Sequence, residues 1–386
     1  MAAGTLSCSG SEETAAYTIT DSAGVEIVMN LGAQWQHGAG WSVDPEPSLT
    51  IGTATGDPGY ELYEVTGAVR LSDGDIAVLN SASHEIRFYD SNGQHVRSVG
   101  GEGSGPGEFQ NPYDLYSLAG DSVVVYDALQ RRLSFFDTSG AYVRSFTLPV
   151  NDKLYRAVDL FPDRAVLVLG KMPSSAGRES GPYRDKSAFV VFDLKGDSVA
   201  TLGAFENREM YAWTEGQFLG IAMRVFGRTT VMATHGSTLF VGTNDGYVID
   251  QYEREGRLIR SIRRDLAVPV TDAMFAADID AQLESMDPGP YRDMMAPAIQ
   301  EMPQPDVLPH YSALEADPDG NLWVRHYHSA SLPSFEWTVF DSTGHMLGDV
   351  TFPEGLDVYE IGRDYVLGRW QDEADVEYVR LHRLSR

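Results

Sequence analysis

The sequence predicts an all-β fold, a six-bladed β-propeller of four-stranded antiparallel blades, on three observations. A hairpin frame recurs along the chain, a second strand pair precedes each copy, and a glycine-rich crossing appears twice near the start. The hairpin "EIRFYDSNGQHVRSVG" (85–100) returns as "RLSFFDTSGAYVRSF" (132–146), "FVVFDLKGDSVATLG" (189–203), "VIDQYEREGRLIRSI" (248–262) and "WTVFDSTGHMLGDV" (337–350). Alternating apolar runs on both sides of a turn carrying glycine mark a hairpin, because glycine supplies the positive φ that a tight turn needs. The upstream pairs are 69–80, 116–127, 159–170, 232–243, 314–325 and 359–370, so there are six units. Repeats of about 40–50 residues with four strands each build radial sheets around an axis.

Taken in chain order, residues 1–16 read as a disordered tether or signal remnant and residues 17–386 as the propeller. The sixth unit runs out of chain after three strands, at "VEYVRLHRLSR", so an N-terminal strand is needed to complete it. "SLTIG" (48–52) is the preferred candidate, with the hairpin "YTITDSAGVEIVMN" (17–30) as an added edge; the reverse assignment is the alternative. The stretch "VGGEGSGPGEF" (99–109) lacks both the dinucleotide glycine spacing and the lysine of a phosphate loop. Its glycine and proline spacing recurs at Gly52, Pro58 and Gly59, which favours a crossing between blades.

With these residues in view a resemblance can be stated. "VGGEGSGPGEFQNP" followed by "LAGDSVVVYDALQRRLSFFDTSG" resembles the NHL-repeat pattern, and the chain is similar to six-bladed, NHL-like propellers of bacterial envelope proteins. The likeness is good over 69–146 and degenerate later, and 266–309 has no counterpart in the repeat. It implies the fold strongly and activity weakly, since such scaffolds host binding modules, lyases and calcium-dependent hydrolases. "AAGTLSCSGSEET" resembles the end of a bacterial lipoprotein signal, with Cys8 as the lipid-bearing residue; a disordered start with an unimportant thiol is the alternative. The expected location is therefore the cell envelope or periplasm, lipid-anchored through Cys8, or outside the cell.

Composition narrows the partners. A formal charge of -27 argues against nucleic acid, whose phosphates need clustered Lys and Arg. No apolar run is long enough for a membrane-spanning helix. The single cysteine excludes an internal disulfide or a cysteine-rich metal site, and a monomer is expected.

Function is expected where the long connections gather. In a four-strand unit the first and third turns share one face, and here those turns are short. The other face is expected to carry 31–47, 171–187, 204–228 and 266–309. Within 266–309, Thr271 caps a helix with Phe275, Ile279, Leu283 and Met286 on one side, and Pro288 and Gly289 break it. A second helix follows with Tyr291, Met294, Met295, Ala298, Ile299 and Met302. This methionine-rich pair reads as a lid or docking face, or as a plug over the channel.

The second strands end on the same face, so Asn80, Asp127, Lys171, Asn244, Arg325 and Arg369 are expected as a ligand-binding ring at the channel mouth. The alternative for each is a blade-stabilising hydrogen bond. Asn80, Asp127 and Asn244 offer oxygens of the kind calcium takes, while the three basic members oppose a cation and suit an anion or carbohydrate. His326 and His328 are weak metal candidates, placed by alternation on one side of a strand, with His310 as a neighbour. No G-x-S-x-G elbow, H-E-x-x-H motif or catalytic cysteine pattern is present, so no catalytic residue is assigned. Two functions follow: a non-catalytic envelope module that binds a protein, peptide or carbohydrate, needing no cofactor, or a calcium-dependent hydrolase or lyase.

Overall fold

A computed structural model describes residues 16–35, 40–118, 120–148, 154–161, 166–171, 179–215 and 218–386. Cys8 and nearly all of the 1–16 tether lie outside them.

Five blades are contiguous in sequence. The first holds Val65–Arg70, Ile76–Asn80, Glu85–Tyr89 and His95–Gly100. The second holds Pro112–Leu118, Ser122–Asp127, Arg132–Phe136 and Tyr142–Thr147. The third is Leu154–Leu160, Val166–Lys171, Lys186–Phe192 and Ser198–Glu206. The fourth is Val231–His235, Thr238–Gly242, Val248–Glu253 and Leu258–Arg264. The fifth is Tyr311–Ala316, Leu322–His326, Glu336–Phe340 and Met346–Thr351.

The sixth blade has Asp357–Ile361, Tyr365–Gln371 and Glu377–Ser385, and takes its outer strand from the N-terminal region. Leu49–Ile51 pairs antiparallel with Glu377–Ser385, Ile51 opposite Val379, and Ser42–Val43 continues along the same strand. The hairpin Tyr17–Ser22 and Val25–Asn30 lies instead on the fourth blade, parallel to Leu258–Arg264. Asn30 pins it there: its side chain donates to Gly344 O at 3.0 Å and accepts from Met346 N at 2.7 Å.

Apolar second strands explain why the blades stack. Along Ser122–Asp127, Val123 and Val125 pack toward the first blade while Val124 and Tyr126 pack toward the third. Equivalent clusters join blades three to four, four to five and five to six. A sixth joins Leu367, Val379 and Ile51 to Val78 and Tyr89, bringing the last blade against the first. Each buried side chain of this size contributes about 1.5–3 kcal/mol, so these clusters dominate the fold's stability.

The aspartates of the repeat are turn-formers. Asp90 Oδ1 accepts from Asn92 N and Gln94 N, and Asp137, Asp193, Asp341 and Asp372 repeat this pair of bonds. In the glycine crossing, Gly100 has φ +113° and a Cβ there would lie 2.7 Å from His84 O, so the chain turns where only glycine fits. Phe109, fully buried, closes the crossing between the first two blades.

Antiparallel order places the turns 90–94, 137–141, 193–197, 236–237, 317–321 and 341–345 on one face. The opposite face receives the described parts of three expected connections, 179–185, 207–215 with 218–230, and 265–310, while 172–178 lies outside the described residues. Segment 31–47 does not join them. Trp35 N donates to Leu347 O, the Trp41 and Trp323 rings lie 5.4 Å apart, and Arg386 stacks on Trp41, so its described residues follow the rim of the fifth blade toward the short-turn end of the sixth.

Candidate binding site on the long-connection face

Two of the long connections form a small sheet. Met210–Glu215 and Phe218–Met223 make a hairpin, and Gly181–Tyr183 pairs with its first strand. Beside it stand α1 (Asp272–Glu284) and α2 (Pro290–Gln300). Thr271 Oγ1 caps α1 by accepting from Met274 N at 3.3 Å. Ile279 and Leu283 of α1 and Met295 and Ile299 of α2 share a cluster with Tyr211, Phe226 and Met302. Most methionines of the insertion therefore form its own core; Met294 and Tyr291 stay exposed. Tyr211 and Phe226 are buried too, and so hold the connections down.

A cavity of about 470 Å³ lies between these parts. Met223 to Gly227 and Thr229 form one wall, Asp278, Ala281 and Gln282 of α1 another, and Asn244, Tyr311 and Ser312 the blade side, with Tyr327, His328 and Arg208 completing the lining. Two latches fix α1 across it. Gln282 Nε2 donates to Met223 O at 3.0 Å. Asp278 accepts from Ser329 Oγ, Ala330 N, Ser331 N and Ser331 Oγ.

The charges around the cavity are mostly paired. Glu209, buried, accepts from the Arg224 guanidinium and from Arg228 N at 3.1 Å. Asp245 binds Arg184 at 2.8 Å and approaches Arg228 at 3.6 Å. Arg208 has no carboxylate partner among the described residues; its Nη1 meets the Met223 thioether at 3.1 Å. Burial, then Asp278, pushes the Tyr327 phenol up to about 12 against the pull of Arg208, so it is a neutral hydroxyl. Burial, then the Arg325 guanidinium, holds His328 below the usual imidazole range, so the ring is neutral at pH 7.

The Asn and Asp members of the ring of second-strand ends are backbone clamps. Asn80 Oδ1 accepts from Tyr63 N at 2.7 Å, and Asp127 accepts from Gln110 N, Asn111 N and Gln130 N. Asn244 bridges blades: Oδ1 accepts from His310 N and Tyr311 N, and Nδ2 donates to Tyr311 O at 2.6 Å. Lys171 ends its strand as expected, and its side chain lies outside the described residues. Arg325 and Arg369 do come together, on either side of Asp357, at 3.7 and 3.2 Å. Arg369 also binds Glu377 at 3.0 Å, whereas among the described residues Arg325, largely buried, has only that long ion pair.

The two histidines separate. Their strand ends at His326, so alternation does not carry to His328. His326 Nε2 bonds Thr338 Oγ1 on the third strand of the blade at 2.8 Å, and His328 Nδ1 meets Ser312 Oγ on the first at 3.2 Å. Among the described residues no three His, Cys, Asp or Glu side chains are gathered as a metal ion would require.

Sequence reasoning missed the carboxyl groups of the innermost strands. Burial pushes Asp159 up to about 6, and burial raises Glu360. Glu315 is raised well above the ordinary range by burial and then by Asp159 and Glu360. Asp159 and Glu360 cap inner-strand edges of the following blades, accepting from Thr234 N and Arg70 N at 2.8 Å each. Their one sequence signal was an acid one place before the end of a first strand.

Comparison with known proteins agrees on architecture. A family model described as a 6-bladed beta-propeller (DUF5128) matches residues 62–160. A Bacteroides vulgatus protein of the DUF4221 family is 11% identical, with 90% of this chain and 99% of that one covered and a TM-score of 0.53. A Bacteroides fragilis protein provisionally described as exported is 13% identical over 90% and 96% of the two chains, TM-score 0.48. Virginiamycin B lyase from Staphylococcus aureus is 10% identical over 90% and 100%, TM-score 0.42. No curated protein matches the chain. No helix among the described residues is long and apolar enough to cross a membrane. The chain is a six-bladed β-propeller, its long connections built into a helix-roofed cavity on one face.

Proposed function

We propose that the protein is a non-catalytic binding module of the bacterial cell envelope, working through the cavity and the helical insertion of the long-connection face. The observation that carries this reading is the cavity itself. Three sequence-distant connections are latched together by Asp278 and Gln282 around an open space of about 470 Å³, within the range of small-molecule sites. A plug would have filled that space. The oxygens of Asn80, Asp127 and Asn244 are engaged by backbone N–H groups, which favours binding over calcium-dependent hydrolysis. The envelope location is supported by the small-residue stretch ending at Cys8 and the polar tether after it.

The test is partner capture from envelope extracts with residues 271–302 replaced by a short linker in a protein that still melts cooperatively. Capture should fall to background. Undiminished capture would overturn the reading.

A further inference from the structure

We propose that the cavity beneath α1 takes a small organic acid with an apolar body, its carboxylate held by Arg208 and the Tyr327 hydroxyl. The inference rests on the reading of this cavity as the ligand site and names the chemistry of the ligand.

The chain carries a formal charge of -27, whereas the charged side chains of the lining are Arg208 and Arg224 against Asp278. Asp278, the carboxylate of the lining, spends its oxygens on the Ser329–Ser331 donors. Arg224 is neutralised by Glu209. That leaves Arg208, whose Nη1 meets the Met223 thioether sulfur, a weak acceptor that satisfies little of a five-donor guanidinium. The Tyr327 hydroxyl lies in the electrostatic reach of Arg208, has no hydrogen-bond partner among the described residues, and stays protonated, so it can donate.

The rest of the lining restricts the ligand further. Phe226, Val225 and Met223 give one side an apolar surface, with the Phe226 ring backed by Phe275 at 6.1 Å. Ser312 Oγ donates to His326 O, so its lone pair receives Nδ1–H of the His328 imidazole. A bare inorganic anion would leave the apolar side empty, and a neutral apolar molecule would make no use of the Arg208 guanidinium or the Tyr327 hydroxyl. Charge-assisted bonds from guanidinium to carboxylate are among the stronger ones available to a small ligand.

The test uses the full chain at pH 7.5 and titration calorimetry with 3-phenylpropionate, its amide and inorganic phosphate. The acid should bind at least tenfold more tightly than the amide or phosphate. Arg208→Gln, an exposed position, should weaken the acid at least tenfold and leave the amide unchanged. Ala281→Trp, which fills the space, should abolish binding of both organic probes. Equal affinity for acid and amide, no acid binding, or an unchanged Arg208→Gln variant would each overturn the assignment. Failure of these titrations together with capture that still depends on residues 271–302 would sink the carboxylate alone and leave the binding face standing.

Discussion

Replacing Asn244 with alanine removes three hydrogen bonds, two buried and one partly buried, and leaves a side chain at φ +65°. Asn244 sits between the fourth and fifth blades, almost fully buried, under the Tyr311 ring whose hydroxyl also bonds Val248 O. Without its amide, His310 N and Tyr311 N lose their acceptor. Stranding a buried donor costs about 1–3 kcal/mol, so two cost about 2–4 kcal/mol when water reaches one of them in part. The left-handed backbone adds about 1 kcal/mol for alanine, which asparagine tolerates better. The sum is about 3–5 kcal/mol, against about 0.5 kcal/mol for an ordinary surface change. Urea unfolding at pH 7.5 should show the midpoint drop with an unchanged slope. Asn244→Gly should recover the backbone part, and Asn244→Asp should retain the bonds accepted from His310 N and Tyr311 N while losing the one donated to Tyr311 O. A loss under about 1 kcal/mol for the alanine variant would refute the clamp and return Asn244 to the class of free ligand groups.

Further outcomes follow from other positions. Asp159, Glu315 and Glu360 have raised folded-state pKa values, so their protonated forms favour the native chain. Their contribution is present below the ordinary carboxyl range and is lost as pH rises through about 6 for Asp159. Glu315→Gln should therefore raise the melting midpoint at pH 7.5, leave it nearly unchanged at pH 4, and flatten the slope between, as read by calorimetry. Asp341 and Asp349, both lowered, act in the opposite sense and lose their contribution as pH falls through their depressed values. Gly100→Ala places a Cβ against His84 O and the Phe109 ring at positive φ, and should destabilise by more than about 2 kcal/mol in denaturant titrations. Asn30→Ala should speed amide exchange across Tyr17–Asn30 while the blade cores keep their protection, as seen by mass spectrometry.

The fold was legible where the physics is local. Asp90 and Asp137 are turn residues because their carboxylates bond backbone two and four places on, a feature that any copy of the frame displays. Val123 to Tyr126 read as a buried strand because both of its sides are covered by neighbouring blades. Segment 31–47 was misplaced because Trp35 and Trp41 are fixed by Leu347 and Trp323, some three hundred residues away, and nothing nearby in sequence records that. The hairpin inside 204–228 was missed despite the alternation of its two runs. Arg208 stood out in no motif; its importance comes from the pairing of its neighbours Arg224 and Arg228 with Glu209, which only the fold reveals. His326 and His328 were joined by a periodicity that stops with the strand.

The most direct test of a one-sided working surface is photo-crosslinking in envelope fractions from two positions. Ala277, exposed on α1 one turn before Ala281, reports on the long-connection face, and Asn92, exposed in a short turn, reports on the opposite one. Adducts from position 277 and only background from position 92 are predicted. Equal labelling from both, or labelling from position 92 alone, would contradict the account.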